Sequence, residues 1–221
     1  MRRNIIITID GTAASGKSTT AREVAKRLGF LYLDTGAMYR AVTLKVVRDG
    51  IDPDNVEKLS RMLKSTDIVI DRENRIFLDG EDVTSQIRTP EIDRLVSVIS
   101  AIPLVRERLV MVQRELGRDG GLVCEGRDIG TVVFPKAELK IYMDAKLSER
   151  TKRRKKELGH RGIDVNADDV RQVLSSRDEI DSTRTHSPLR IPGDAVIIDT
   201  SRLTIEDQVE RVLEEIRKLK S

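Results

Sequence analysis

Ile5-Ile6-Ile7-Thr8-Ile9-Asp10-Gly11-Thr12-Ala13-Ala14-Ser15-Gly16-Lys17-Ser18 sets the architecture of the chain. A β-branched apolar run gives way to the spacing G-x-x-x-x-G-K-S, and a segment with helical periodicity follows. Ala21, Val24, Ala25 and Leu28 fall at i, i+3, i+4 and i+7, and Gly29 stands where a helix C-terminal glycine belongs. Strand, glycine loop and helix in that order make the spacing a phosphate-binding loop, or P-loop. Its glycines let the backbone curl so that successive N–H groups point inward. The helix N-terminus adds free amides and the positive end of its dipole. Lys17 is expected to reach the β- and γ-phosphates, and the Ser18 hydroxyl to ligate Mg2+. Gly11, Thr12, Ala13, Ala14, Ser15, Gly16, Lys17, Ser18 and Thr19 are therefore the expected nucleoside triphosphate site.

Outward from this loop, short apolar strands alternate with helical segments. Phe30–Leu33, Leu122–Glu125, Leu139–Met143 and Ala195–Ile198 read as strands after the first. Ala37–Val47 reads as a helix closed by Gly50, and residues 55–64 as a short amphipathic one. Thr89-Pro90 starts a helix to about Ala101, Pro103 starts another ending at Gly117, and Leu147–Leu158 is a very basic helix. Asn166 caps a helix to about Ile180, and Thr204 with Asp207 approximates a capping box for the last one. Between residues 66 and 85 the rhythm changes to three short strands separated by Glu73-Asn74 and Asp79-Gly80, a small antiparallel insert. The expected fold is α/β: a P-loop, doubly wound, parallel five-stranded sheet with a small antiparallel β insert and a helical lid. Right-handed crossovers bring the loops after residues 9, 33, 125 and 143 to one edge.

Those loops carry charge. Asp34-Thr35-Gly36-Ala37-Met38-Tyr39-Arg40 opens a helix whose Arg40 is placed either to fork onto a second phosphate or to face solvent. Glu125-Gly126-Arg127-Asp128-Ile129-Gly130-Thr131 packs two acids and an arginine between glycines, and Glu125 is a candidate to assist Mg2+. Arg150, Arg153, Arg154 and Arg161 share one face of the basic helix or its extension and suit a lid, whereas Lys152, Lys155 and Lys156 read as solvated. Arg177, Asp181 and Arg184 lie at i, i+4 and i+7, a spacing that a structural ion-pair ladder explains equally well. Cys124 and His186 read as structural, and no Cys/His set has zinc spacing.

The 221 residues suffice for one α/β unit with insertions. Net charge is +3, which does not demand a nucleic-acid partner. Charged residues make up 35% of the chain, with no Trp and few Asn or Gln, a heat-adapted balance. No apolar run reaches membrane-spanning length, and no signal-peptide core precedes the first strand. A cytoplasmic protein without membrane contact is the expectation. An RNA-binding use of the basic helix competes with the lid reading, but the interleaved aromatics of such surfaces are missing. A GTP-dependent switch lacks any N-K-x-D sequence.

With the P-loop, Asp34-Thr35-Gly36-Ala37-Met38-Tyr39-Arg40, Glu125-Gly126-Arg127-Asp128-Ile129-Gly130-Thr131-Val132-Val133-Phe134-Pro135 and Arg177-Asp178-Glu179-Ile180-Asp181-Ser182-Thr183-Arg184 in view, the chain closely resembles bacterial cytidylate kinases over essentially its whole length. The resemblance implies Mg2+-assisted phosphoryl transfer from ATP to CMP or dCMP, with another small-molecule acceptor as the alternative. It implies roles by position. Thr35, Ser97, Arg106 and Asp128 match residues around cytosine, and Arg40 and Arg127 match contacts to the acceptor phosphate. Arg177, Asp181 and Arg184 match a set around sugar and phosphate, and Tyr39 belongs with the acceptor-binding residues. Lys17, Arg127, Arg150, Arg154 and Arg184 are the implied catalytic cations, Arg150 and Arg154 being in the lid. Ser18 is the implied metal ligand, and a monomer needing no nucleic acid is expected. The implied division is a core of about 1–35, 104–148 and 166–221, an acceptor-binding part of about 36–103, and a lid of about 149–165. Thr12-Ala13-Ala14 stands where some relatives have Pro-Ser-Gly, and Glu125 where some have Asp.

Overall fold

A computed structural model describes residues 4–71 and 73–219. Five strands form the main sheet: β1 (Ile6–Gly11), β2 (Leu31–Asp34), β6 (Leu122–Gly126), β7 (Leu139–Asp144) and β8 (Val196–Asp199), in the order β2-β6-β1-β7-β8. β1 runs parallel to β6 and β7, and β7 runs parallel to β8. The β-branched and apolar residues of these strands are buried almost throughout β1, β6 and β7, as parallel strands covered on both faces must be. The three-stranded insert is β3 (Ile68–Ile70), β4 (Ile76–Leu78) and β5 (Glu81–Asp82), antiparallel throughout. Its turns use left-handed backbone at Asn74 and at Asp79-Gly80. The helices are α1 (Lys17–Leu28), α2 (Thr35–Arg48), α3 (Val56–Ser65), α4 (Pro90–Ala101), α5 (Pro103–Leu116), α6 (Leu147–His160), α7 (Ala167–Thr183) and α8 (Ile205–Lys218).

The described residues divide into two compact units, one running through Tyr32 and resuming at Asp119, the other spanning Leu33–Arg118. In the first, Ile7, Ile9, Val123, Ile141 and Met143 of the sheet pack with Val24 and Ala25 of α1 and with Val209, Val212 and Ile216 of α8. Burial at these positions, about 25 cal/mol per Å2 of apolar surface, is what holds helices to the sheet. The capping box at Thr204 and Asp207 starts α8. A smaller cluster joins Ala13 of the P-loop to Leu158, Val170 and Leu174 of α6 and α7. In the second unit, Ala37, Ala41 and Leu44 of α2 pack on Ile76, Leu78, Val83, Ile87 and Ile92.

Register places the site. Asp10 lies opposite Gly126, Gly11 opposite Met143, and Asp144 opposite Asp199, so the loops after β1, β6, β7 and β8 leave the sheet at one edge. Gly11 is required there: its φ is +143°, and a Cβ would stand 1.8 Å from the Met143 carbonyl oxygen. Strand, helix and insert positions follow the sequence expectation to within a residue or two, with α6 running on to His160 instead of ending at Leu158, and with three further differences. α2 begins at Thr35, two residues early, because the Asp34 carboxylate accepts the Ala37 amide at 2.9 Å and caps the helix. α7 continues past Ile180 to Thr183. Residues Ile129–Val133 form a single wide π turn where only a tight loop was expected.

Candidate active site

The P-loop joins β1 to α1. Gly16, with φ +102°, turns the chain into the helix, and a Cβ there would meet the Gln208 amide oxygen at 2.7 Å. Gln208 also accepts the Thr20 hydroxyl at 2.9 Å, so the start of α8 buttresses the loop. Lys17 is 4% exposed. Its Nζ donates to the Thr12 carbonyl at 2.6 Å, and lies 3.4 Å from Ser15 Oγ. Burial, and then the Arg127 charge, lower its pKa to about 7 against the pull of Glu125, Asp10 and Asp178. Ser18 and Thr19, on the first turn of α1, are exposed. Thr12 Oγ1 donates to Asp144 at 2.8 Å, fixing the near side of the loop to the end of β7.

The arginines of the expected lid separate into two kinds. Arg150 lies buried on α6, donating through Nη1 to the Ala13 carbonyl at 3.2 Å and to Asp178 at 2.5 Å, and through Nε to the Ala145 carbonyl at 2.9 Å. Asp178 in turn accepts the Ala13 amide at 3.2 Å. Arg153 donates to the Ser15 carbonyl at 3.2 Å and to Thr200. These two pin α6 to the P-loop. Arg154 and Arg161 both donate to Glu157 on the same helical segment instead. Lys152, Lys155 and Lys156 are exposed, as expected of solvated positions.

After β6 the predicted cluster assembles. Arg127 Nε donates to Asp181 Oδ2 at 2.8 Å. Arg184 lies 3.5 Å from Asp181 Oδ1 and 3.8 Å from Asp128 Oδ1. Burial works against the Arg127 charge, but Asp181, and then Glu125 and Asp178, raise its pKa further. The i, i+4, i+7 series on α7 is therefore more than a ladder along one helix, because Asp181 reaches a guanidinium 54 residues away in sequence. Arg177 sits partly buried one turn before Asp181. Glu125 is buried and accepts the Tyr32 hydroxyl at 2.9 Å. Cys124 lies buried inside β6 and forms no disulfide.

In the second unit, Thr35 is buried at the start of α2, and Tyr39 and Arg40 follow one turn on. Arg40 is hydrogen-bonded to Asp93 of α4. The Arg106 guanidinium stacks 5.3 Å from the Tyr39 ring centroid and donates to the Ser100 carbonyl at 3.0 Å. The Ser100 hydroxyl donates to the Ser97 carbonyl at 3.1 Å. Tyr39, Ser97 and Arg106 are thus grouped around the corner between α4 and α5.

Sequence reading does not single out Asp10, Asp144, Asp178 or Gln208 as site-building residues, and it places Arg153 on the lid face without its tie to the P-loop. Asp178 stands beside Arg177 in a quoted motif, and Arg153 stands on the predicted basic face, so both had a local signal. Asp10 and Gln208 had none, since their partners lie 119 and 188 residues away. Among the described residues no group of three or more His, Cys, Asp or Glu side chains could hold a metal, and no helix is long and apolar enough to cross a membrane.

Residues 7–218 match the family model described as cytidylate kinase. A cytidylate kinase of Caldanaerobacter subterraneus subsp. tengcongensis is 51% identical over 212 residues, covering 96% of this chain and 94% of that protein. A cytidylate kinase of Chloroherpeton thalassium is 50% identical over 224 residues, covering 97% and 94%. Among solved structures, an uncharacterized protein from Eubacterium ventriosum superposes with a TM-score of 0.53 over 96% of this chain and 98% of that one, at 12% identity, a likeness of fold alone.

Proposed function

The chain belongs to the cytidylate kinase family, and on that premise we propose that it transfers the terminal phosphoryl group of ATP to CMP or dCMP, yielding ADP and CDP or dCDP. It is a nucleoside monophosphate kinase. The observation that carries the chemistry is the convergence of Lys17, Arg127 and Arg150 on the sheet edge where the P-loop begins.

No general base is needed. A phosphomonoester has its second pKa near 6, so the attacking oxygen is mostly anionic at neutral pH. The obstacle is repulsion between two polyanions that must meet in line. Fixed cations and loop amides remove it by being in place before the reaction begins. In this reading Gly11–Thr19 hold the triphosphate, and Lys17, Arg127, Arg150, Arg154 and Arg184 stabilise the transferring group. Arg40, Arg127, Arg177, Asp181 and Arg184 serve the acceptor phosphate and sugar. Thr35, Tyr39, Ser97, Arg106 and Asp128 serve the base. Arg150 is already held against the loop, whereas Arg154 must exchange Glu157 for phosphate.

Mg2+ completes the proposal. The exposed Ser18 hydroxyl, next to Lys17 on the first turn of α1, is the kind of single oxygen that Mg2+ takes from a protein while substrate phosphates and water fill its other positions. When bound, the ion neutralises charge on the β- and γ-phosphates. Functionally we divide the chain into a core, an acceptor-binding part of about 36–103 and a lid of about 149–165. It acts as a cytoplasmic monomer on small-molecule substrates, without nucleic acid or membrane.

The test is a coupled ADP-release assay with ATP and Mg2+ against CMP, dCMP, UMP, AMP, GMP and shikimate. CMP or dCMP is expected to give the highest kcat/KM. A higher value for another acceptor would replace the cytidylate reading with that of a different P-loop kinase.

A further inference from the structure

Asp10 is the last residue of β1 before the P-loop glycine, and it is 1% exposed. Its two carboxylate oxygens accept two successive amides from a segment 119 residues away, Ile129 N at 2.8 Å and Gly130 N at 2.7 Å. Those amides follow Arg127 and Asp128 directly and open the π turn Ile129–Val133. A second observation points the same way. A Cβ on Gly130 would stand 2.9 Å from Thr8 Oγ1, 3.1 Å from Pro192 and 3.3 Å from Asp10 Oδ2, so only glycine lets this backbone settle onto the carboxylate.

Burying a carboxylate this fully costs stability unless its lone pairs are engaged. Burial accordingly raises the Asp10 pKa to about 6, against the two amides, while the Asp128 carboxylate raises it further and Lys17 lowers it. The site keeps the expensive group where a neutral side chain would cap a turn more cheaply. What the charge secures is the backbone that aims Arg127 at Asp181 and sets Asp128 3.8 Å from Arg184.

We propose that Asp10 is a positioning residue for the acceptor nucleotide, acting through the Ile129 and Gly130 amides to hold Arg127 and Asp128 in their binding geometry. It deepens the cytidylate kinase reading and rests on it, since Arg127 and Asp128 are the acceptor contacts assigned there. At 1% exposure Asp10 is assigned no direct contact with either substrate. Asparagine at this position keeps the size but turns an N–H group toward one of the two amides, so one hydrogen bond is lost and the segment shifts.

The experiment compares wild type with Asp10→Asn by calorimetric titration of CMP and, separately, of ATP, together with steady-state kinetics. Wild type must convert CMP; failure there removes the kinase reading and not this inference alone. With wild type active, Asp10→Asn is expected to weaken CMP binding and raise its KM by at least about tenfold, with the ATP dissociation constant changed less than about threefold. Equal weakening of both ligands would mean a general loss of fold around the P-loop and would overturn the proposal, as would unchanged CMP binding. If Asp10→Asn does not fold, Gly130→Ala makes the same test from the other partner without altering charge: CMP binding should fall selectively, and an unaltered CMP affinity overturns the proposal.

Discussion

Arg127 Nε and Asp181 Oδ2 lie 2.8 Å apart, so the loop after β6 and the helix α7 are joined by an ion pair at the edge of the sheet where the P-loop begins. The Asp181 side chain is also 3.5 Å from Arg184. One carboxylate therefore orients two of the assigned cations. Asp181→Asn removes the charge and keeps the shape. Steady-state kinetics should show kcat/KM for CMP lowered by at least about tenfold, because both guanidiniums lose their anchor. An unchanged value would show that the pair only braces α7.

Lys17→Ala should abolish most phosphoryl transfer, by several orders of magnitude, while circular dichroism and the melting transition stay near wild type. Lys17 Nζ meets the Thr12 carbonyl and the Ser15 hydroxyl of its own loop, and Lys17 is no member of the hydrophobic clusters, so its loss chiefly deletes charge. In wild type its pKa is lowered to about 7, first by burial and then by Arg127. The charged form needed for phosphate binding is therefore lost as pH rises through about 7. kcat/KM for ATP, which reports the free enzyme, should decline across that range.

Gly11→Ala should fail structurally. The added methyl would lie 1.8 Å from the Met143 carbonyl oxygen, on a backbone whose φ of +143° disfavours any side chain. Either β1 separates from β7 or the P-loop is rebuilt. Thermal melting should fall by well over 10 °C, corresponding to more than about 3 kcal/mol for a chain of this size. A variant with the wild-type melting point would contradict the register described for β1 and β7.

Asp10 makes stability depend on pH in a definite direction. Its folded pKa, raised to about 6 mainly by burial, exceeds the ordinary 3.8 of the unfolded chain. The folded state thus holds an extra proton between those values. The associated stabilisation is complete below about pH 4 and disappears as pH rises through 6. Urea titrations at intervals from pH 4 to 7 should show this loss in wild type and a shallower slope in Asp10→Asn. Identical slopes would show that Asp10 titrates normally.

Local patterns made the frame legible. The Ile5–Ile9 run, the glycine loop and the Ala21–Leu28 periodicity are adjacent in sequence, so one reading placed β1, the loop and α1 together. Pro90, Pro103, Asn166 and Thr204 mark helix starts by chemistry confined to a single turn. Arg127 and Asp181 were both expected near the acceptor from the family resemblance, but their direct pairing was not. The sequence places the start of α2 late because apolar periodicity begins at Ala37, whereas Asp34, the last residue of β2, caps the helix from Thr35. The π turn at Ile129–Val133 left no periodic signal, and its first two amides are bound by Asp10 of another strand. The same holds for Asp178, whose hydrogen bond to the Ala13 amide spans 165 residues. Contacts between distant strand ends are set by the sheet order, and no window along the chain contains both partners.

The central claim is that the P-loop edge holds two phosphorylated nucleotides so that one hands its terminal phosphoryl group to the other. Chromatographic quantification of CDP after mixing the purified protein with ATP, Mg2+ and CMP tests it directly. CDP should accumulate in step with ADP, one for one, and Lys17→Ala should produce almost none. A folded wild-type protein that forms ADP without CDP, or neither product, would contradict the account.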